Sequence, residues 1–214
     1  MKFSPSLSKL TKSDKPQFVS LMSSAFCRDP LFLHVLGDSE LDFQARSYVT
    51  AFVSFMFDKS FLLHEEVWGV FENEDLQGAY VVENPHANKL QSIRGGLLLI
   101  GRLLPLCFRM PRQTLHLLNS YMRLTRSFAP KLPHHYLIMI GVQPDHQGKG
   151  VGKALLNHLL HTVNKDPNSQ GVALDTENKE NVTMYQKVGF ILNNETRLDD
   201  LPIYCMFYPS RMGK

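Results

Sequence analysis

The chain has 214 residues, 43% of them hydrophobic, and a formal charge of +3, which is enough for one domain with a full core or at most two small ones. The positive excess is small and scattered, with no basic block and no basic–aromatic interleaving, so no nucleic-acid partner is expected. Cys27, Cys107 and Cys205 lie far apart and offer neither a metal spacing nor a disulfide framework, and the N-terminus lacks the apolar core of a signal peptide, so the expected setting is cytoplasmic and metal-free.

Leu7 to Leu10 reads as a first strand. Ser13-Asp14-Lys15-Pro16 reads as a helix start, followed by Phe18, Leu21, Met22 and Ala25 at helical spacing, with Asp29-Pro30 as the stop. Ser39 is the expected cap of a second helix that buries Leu41, Ala45, Tyr48, Phe52, Phe55 and Met56. Val67–Phe71 and Ala79–Val82 read as a strand pair turned at Glu72–Asp75.

From about Asn88 to Leu132 the strand pattern breaks. Leu97, Leu98, Ile100, Leu103 and Leu104, then Leu115, Leu117, Leu118 and Tyr121, predict two or three helices parted by Pro105 and Pro111. The longest greasy stretch, Gly95 to Met110, is interrupted by Arg102, Pro105 and Arg109, so no membrane span is expected. Tyr136–Val142 is an apolar strand, Lys153–Val163 an amphipathic helix with Leu155, Leu156, Leu159, Leu160 and Val163 on its buried stripe, and Val172–Asp175 a further strand. A short helix around Asn181–Val188 and strands at Ile191–Arg197 and Tyr204–Tyr208 complete the chain, which shows no repeat and no linker.

Between the Tyr136–Val142 strand and the next helix stands Gln147-Gly148-Lys149-Gly150-Val151-Gly152. Glycines here permit positive φ and close backbone approach, and the N–H groups that converge at a helix N-terminus favour an anion. Two nucleotide readings fail on spacing. A P-loop needs glycine where Gln147 stands and a hydroxyl where Ala154 stands, and a dinucleotide fingerprint starting at Gly148 needs glycine where Lys153 stands. What fits is Gln147-x-x-Gly150-x-Gly152, preceded by Val142-x-Pro144 and followed, after a strand, by Asn181-x-x-x-Tyr185-x-x-x-Gly189-Phe190.

These two motifs, in this order, resemble the GNAT acetyltransferase superfamily. The flanks Pro133–Leu137 and Val142–Gly150, together with Ala25–Pro30 and the long insert, look like its puromycin N-acetyltransferase branch. The resemblance implies one GNAT domain over residues 1–214 with a helical insert at about 88–132. The expected fold is α/β (α+β), with a mixed central sheet in which two parallel strands, Tyr136–Val142 and Val172–Asp175, splay apart, and with the insert placed before the central strand.

It also implies acetyl-CoA as donor. Backbone N–H groups of Gln147, Gly148, Lys149, Gly150, Val151, Gly152 and Lys153 would hold the pyrophosphate. The strand edge at Ile140, Gly141 and Val142 would hold the pantetheine arm, and Asn181 would bond it. Tyr185 would lie near the sulfur as general acid, since a phenol of pKa about 10 and a thiolate of about 8.5 can share a proton. The base is open among Asp175, Glu177, His135, Tyr136 and water. The leading expectation is N-acetylation of a small-molecule amine by direct attack in a ternary complex. The alternatives are a peptide or protein amine as acceptor, or a non-catalytic acyl-CoA-binding sensor. The insert is the expected specificity element, with a lid or a homodimer contact also open to it.

Overall fold

A computed structural model describes residues 6–85, 101 and 106–210. Strands β1 (Ser6–Lys9), β2 (Glu66–Glu72), β3 (Asp75–Glu83), β4 (His135–Val142), β5 (Gly171–Thr176), β6 (Ile191–Leu198) and β7 (Leu201–Pro209) form one sheet in the order β1-β2-β3-β4-β5-β7-β6. All neighbours are antiparallel except β4 and β5, which are parallel. The sheet is therefore mixed, as the resemblance implies.

Both faces of the central strands are covered, which explains their almost unbroken apolar sequences. In β3, Ala79 and Val81 enter one core cluster, while Tyr80 and Val82 enter the other. The first cluster packs against α1 (Lys15–Ala25), α2 (Pro30–Leu36), α3 (Phe43–Leu62) and α4 (Arg112–Ser127). The second packs against α5 (Val151–Lys165) and α6 (Lys179–Lys187). Gly141 lets α1 sit directly on β4, since a Cβ there would stand 2.8 Å from Met22 Sδ.

The β2–β3 turn falls where it was expected. Asn73 and Glu74 take φ of 51° and 69°, the left-handed pair that matches strand twist in a two-residue hairpin. In β4, Val81 pairs with Met139 but Val82 pairs with Leu137, so Ile138 is the extra residue of a β-bulge.

Three expectations change. Helix α1 stops at Ala25, and Asp29-Pro30 opens another helix, α2. The Asp29 carboxylate accepts from the backbone N–H of Leu31 and Phe32 at 3.0 and 3.2 Å, and Pro30 occupies the first turn where its missing N–H costs nothing. Helix α3 is capped by Asp42, which accepts from Gln44 N–H at 2.8 Å, and not by Ser39. Leu41 precedes that helix and is 87% exposed, while Ala45, Val49, Val53, Met56 and Phe57 are buried.

Within the insert, α4 begins after Pro111 and buries Leu118 and Tyr121. Arg102, Pro105 and the apolar residues Leu97, Leu98, Ile100, Leu103 and Leu104 lie outside the described residues.

Candidate active site

β4 and β5 pair only at His135↔Val172 and Tyr136↔Ala173. Beyond that the two strands diverge. β4 stays tied to β3 along its other edge through Tyr80↔Ile140, Ala79↔Gly141 and Gly78↔Val142. The edge of β4 facing β5 is thus a row of backbone groups open to an added strand.

At the end of β4, a 3-10 turn at Pro144–His146 leads into the glycine loop. Gly148 and Gly150 take φ of 74° and 90°, and a Cβ at either would meet nothing within 4 Å. Gly150 caps α5, whose first amides have no carbonyl one turn back to bond. A concave, amide-lined loop with empty space above it fits a pyrophosphate.

Ile140, Gly141, Val142, Gln147, Gly148, Gly150, Gly152, Lys153, Asn181 and Tyr185 line one cleft. Lys149 is exposed on the same loop but outside the lining. The Val151 side chain is fully buried against β3, close to Gly78, so only its backbone can serve a ligand. The cap of α6 is Asn178, which accepts from Glu180 N–H at 2.8 Å, and Asn181 lines the cleft one turn before Tyr185 with its Nδ2 donating to Thr176 Oγ1 at 3.3 Å.

A second cavity joins the cleft. Phe26, Asp29, Ile140, Asn181 and Tyr185 line both. Its walls come from the α1–α2 turn, α3, α4 and the bulged part of β4, and one end of it is acidic. There Tyr136 donates to Asp175 Oδ1, and the Tyr121 hydroxyl touches both Asp175 Oδ2 and Glu177 Oε1. One phenol has one proton, so both Tyr121 contacts are satisfied only when a carboxyl also carries a proton.

Glu177 is the group placed to carry it. It is 8% exposed, and burial, then the charge of Asp175, push its carboxyl up to about 8, against the pull of the Tyr121 hydrogen bond. Burial likewise lifts Asp29 to about 6, and it raises Asp175 despite two phenol donors. Tyr185, 5% exposed, is raised above the ordinary phenol value by burial and then by Asp175, Glu177 and Asp29. Among the described residues its hydroxyl makes no hydrogen bond.

The acetyltransferase (GNAT) family model matches residues 112–190, from α4 to the end of the second motif. Solved structures align over nearly the whole chain. Histone acetyltransferase HPA2 and related acetyltransferase from Corynebacterium glutamicum is 22% identical, with a TM-score of 0.69 over 99% of both chains. The ribosomal-protein-S18-alanine N-acetyltransferase from Escherichia coli is 15% identical, with a TM-score of 0.57 over 99% of this chain and 97% of that one. PH1933 from Pyrococcus horikoshii OT3 is 14% identical, with a TM-score of 0.59 over 97% and 99%. The protein has the GNAT fold.

On this GNAT scaffold the sequence-derived base candidates separate. Asp175, Glu177 and Tyr136 meet in the acidic end of the cavity. His135 does not: it is buried at the start of β4, with Nδ1 2.8 Å from Ser169 Oγ and Nε2 3.7 Å from Asp166 Oδ2. Glu177 is buried and Asp175 half-buried, and Tyr121 of α4 bonds both, so neither is a solvated loop charge. Asp29, Tyr121, Lys59 and Arg126 were not legible as site residues. Tyr121 reads in sequence as one more apolar position of the insert. Asp29-Pro30 also carries a helix-start signal, and only that alternative reading would have turned its side chain inward.

Proposed function

We propose that this protein is an acetyl-CoA-dependent N-acetyltransferase acting on a small-molecule amine, by direct attack within a ternary complex. The observation that carries this reading is the junction of the two cavities at Tyr185, Asn181 and Ile140: a pyrophosphate-shaped loop and open strand edge on one side, an acid-lined pocket on the other. The GNAT family match supports the donor. The puromycin N-acetyltransferase likeness rests on the sequence motifs alone.

Each part of the chemistry has residues suited to it. The amides from Gln147 to Lys153 receive the pyrophosphate, and the β4 edge at Ile140–Val142 receives the pantetheine arm with Asn181 beside it. The thioester carbonyl is thereby brought to Tyr185. An aliphatic amine arrives protonated and loses two protons overall. One passes to Glu177, whose carboxyl is tuned near neutral pH as a general base requires, and then to solvent. The freed lone pair attacks the thioester carbon, the C–S bond breaks, and Tyr185 gives its proton to the departing thiolate. The second amine proton restores Tyr185.

The raised Tyr185 has a consequence. Next to ionised carboxylates its phenol holds its proton too tightly to match a thiolate. A bound ammonium neutralises those carboxylates and brings the phenol back towards its ordinary acidity, so acid catalysis is strongest when both substrates are present.

Two of the structural neighbours are named for protein acceptors. A peptide needs an open groove, whereas this cavity is walled by α1–α2, α3, α4 and β4, which supports the small amine. The test is incubation with acetyl-CoA and an amine panel, following free thiol and acetylated product. Binding of acetyl-CoA with no amine-dependent thiol release would instead support the acyl-CoA-binding sensor.

A further inference from the structure

We propose that the acceptor is an ammonium ion carried on an apolar body, with no anionic group of its own. This deepens the acetyl-transfer reading and rests on it. The argument comes from which charges of the cavity already have partners.

Among the described residues two cations line the cavity, Lys59 and Arg126. Lys59 is buried in an ion pair with Glu65, and Glu65 also accepts from Ser60 Oγ at 2.9 Å. Arg126 pairs with Glu83 at 2.7 Å and lies over the Tyr136 ring, 3.6 Å from its centroid. Neither is free to receive an anionic acceptor. The carboxylates stand differently: Asp29 has two backbone amides, Asp175 two phenols and Glu177 one phenol, and none has a cation within ion-pairing distance among the described residues. The charge left to be met by a ligand is therefore positive.

A second, independent feature points to a ligand at the same place. Tyr185 is 5% exposed, its hydroxyl has no hydrogen-bond partner among the described residues, and the residue lines this cavity where it joins the donor cleft. The remaining wall gives the shape of the body that carries the ammonium. Thr125, Thr176 and Asn181 are its uncharged polar residues, and most of the rest is the apolar side-chain surface of residues such as Phe32, Phe52, Met56, Leu118 and Met139. A polyhydroxylated amine would leave its hydroxyls unbonded against them. A zwitterionic amino acid would set its carboxylate beside Asp175 and Glu177.

The test compares 2-phenylethylamine, phenylalanine, ethanolamine and a short peptide with a free N-terminus, each with acetyl-CoA. 2-Phenylethylamine is expected to exceed each of the others in kcat/KM by about tenfold or more, the worth of one unmet charge or polar group. Calorimetric binding of the same amines to the CoA complex gives the ranking independently of turnover. Asp29→Asn keeps the cap of α2, because asparagine caps as well as aspartate, and removes one charge. It should raise the 2-phenylethylamine KM by about threefold to tenfold, a larger change than in the acetyl-CoA KM. Phenylalanine, ethanolamine or the peptide equalling 2-phenylethylamine in both assays, or Asp29→Asn leaving its KM unchanged, would overturn the proposal while acetyl transfer stands. Acetyl-CoA binding with no turnover of any amine would overturn the acetyl-transfer reading, and the calorimetric ranking would still decide the ligand class.

Discussion

Glu177→Gln separates the cost of the site from its use. Glutamine has nearly the same shape and cannot ionise. The Glu177 carboxyl has an ordinary value of 4.5 and is held at about 8 in the folded protein by burial and by Asp175. A raised carboxyl binds its proton in the native state at pH values where the unfolded chain has released it. Its stabilising contribution is therefore complete below about 4.5 and is lost as pH rises, until the loss ends near 8. Asp29, at about 6, follows the same sign but has completed its titration by the upper part of that window.

Each pH unit of such a window is worth about 1.4 kcal/mol, so between about pH 6 and pH 8 Glu177 alone should destabilise the parent by about 3 kcal/mol. At roughly 2–4 °C per kcal/mol for a chain of this size, that is about 6–12 °C in Tm. The assay is thermal or urea unfolding of both proteins without acetyl-CoA across this range, read as the difference between them so that the histidines cancel. The stability difference should move in favour of the variant by about 3 kcal/mol between pH 6 and pH 8. A difference that stays constant with pH would refute the reasoning. One of opposite sign would mean that a cation in the folded protein holds Glu177 ionised.

Catalysis should move the other way. With Glu177 as base, kcat/KM for the amine should rise about tenfold per pH unit below about 8 and then level, and Glu177→Gln should lack that limb. Tyr121→Phe removes a hydrogen bond that lowers the Glu177 value, so the limb should shift to higher pH, with a stability loss of about 1–3 kcal/mol measurable by denaturation. Tyr185→Phe should lower the pre-steady-state chemical step by about 10²–10⁴ with the acetyl-CoA Kd little changed, and an unchanged step would leave water as the proton donor. Gly150→Val forces a β-branched residue to a φ of 90°, which should cost about 1–2 kcal/mol of stability and weaken CoA binding by about tenfold or more in calorimetry. An unchanged Kd would remove the loop from the donor site.

Much of the proposed donor side was determined by the sequence by itself. The apolar runs of β2 and β3, the stripe of Leu155, Leu156, Leu159, Leu160 and Val163, and the glycines of the loop are local patterns, set by residue spacing and by the φ that glycine permits. Asn181 and Tyr185 share a face because they lie one turn apart on α6. Tertiary structure alone decided the proposed acceptor side. Asp29, Tyr121 and the Asp175–Glu177 pair come from three separate stretches of chain, and no spacing relates those stretches. The parting of β4 from β5 opens the cavity, and α4 closes over it and lays Tyr121 across the two carboxylates. What turns Glu177 from a loop charge into a group titrating near 8 is the water excluded by that closure and the charge of Asp175 beside it. Desolvation and the proximity of charges from distant segments are properties of the packed molecule, and nothing in the local sequence around Glu177 encodes them.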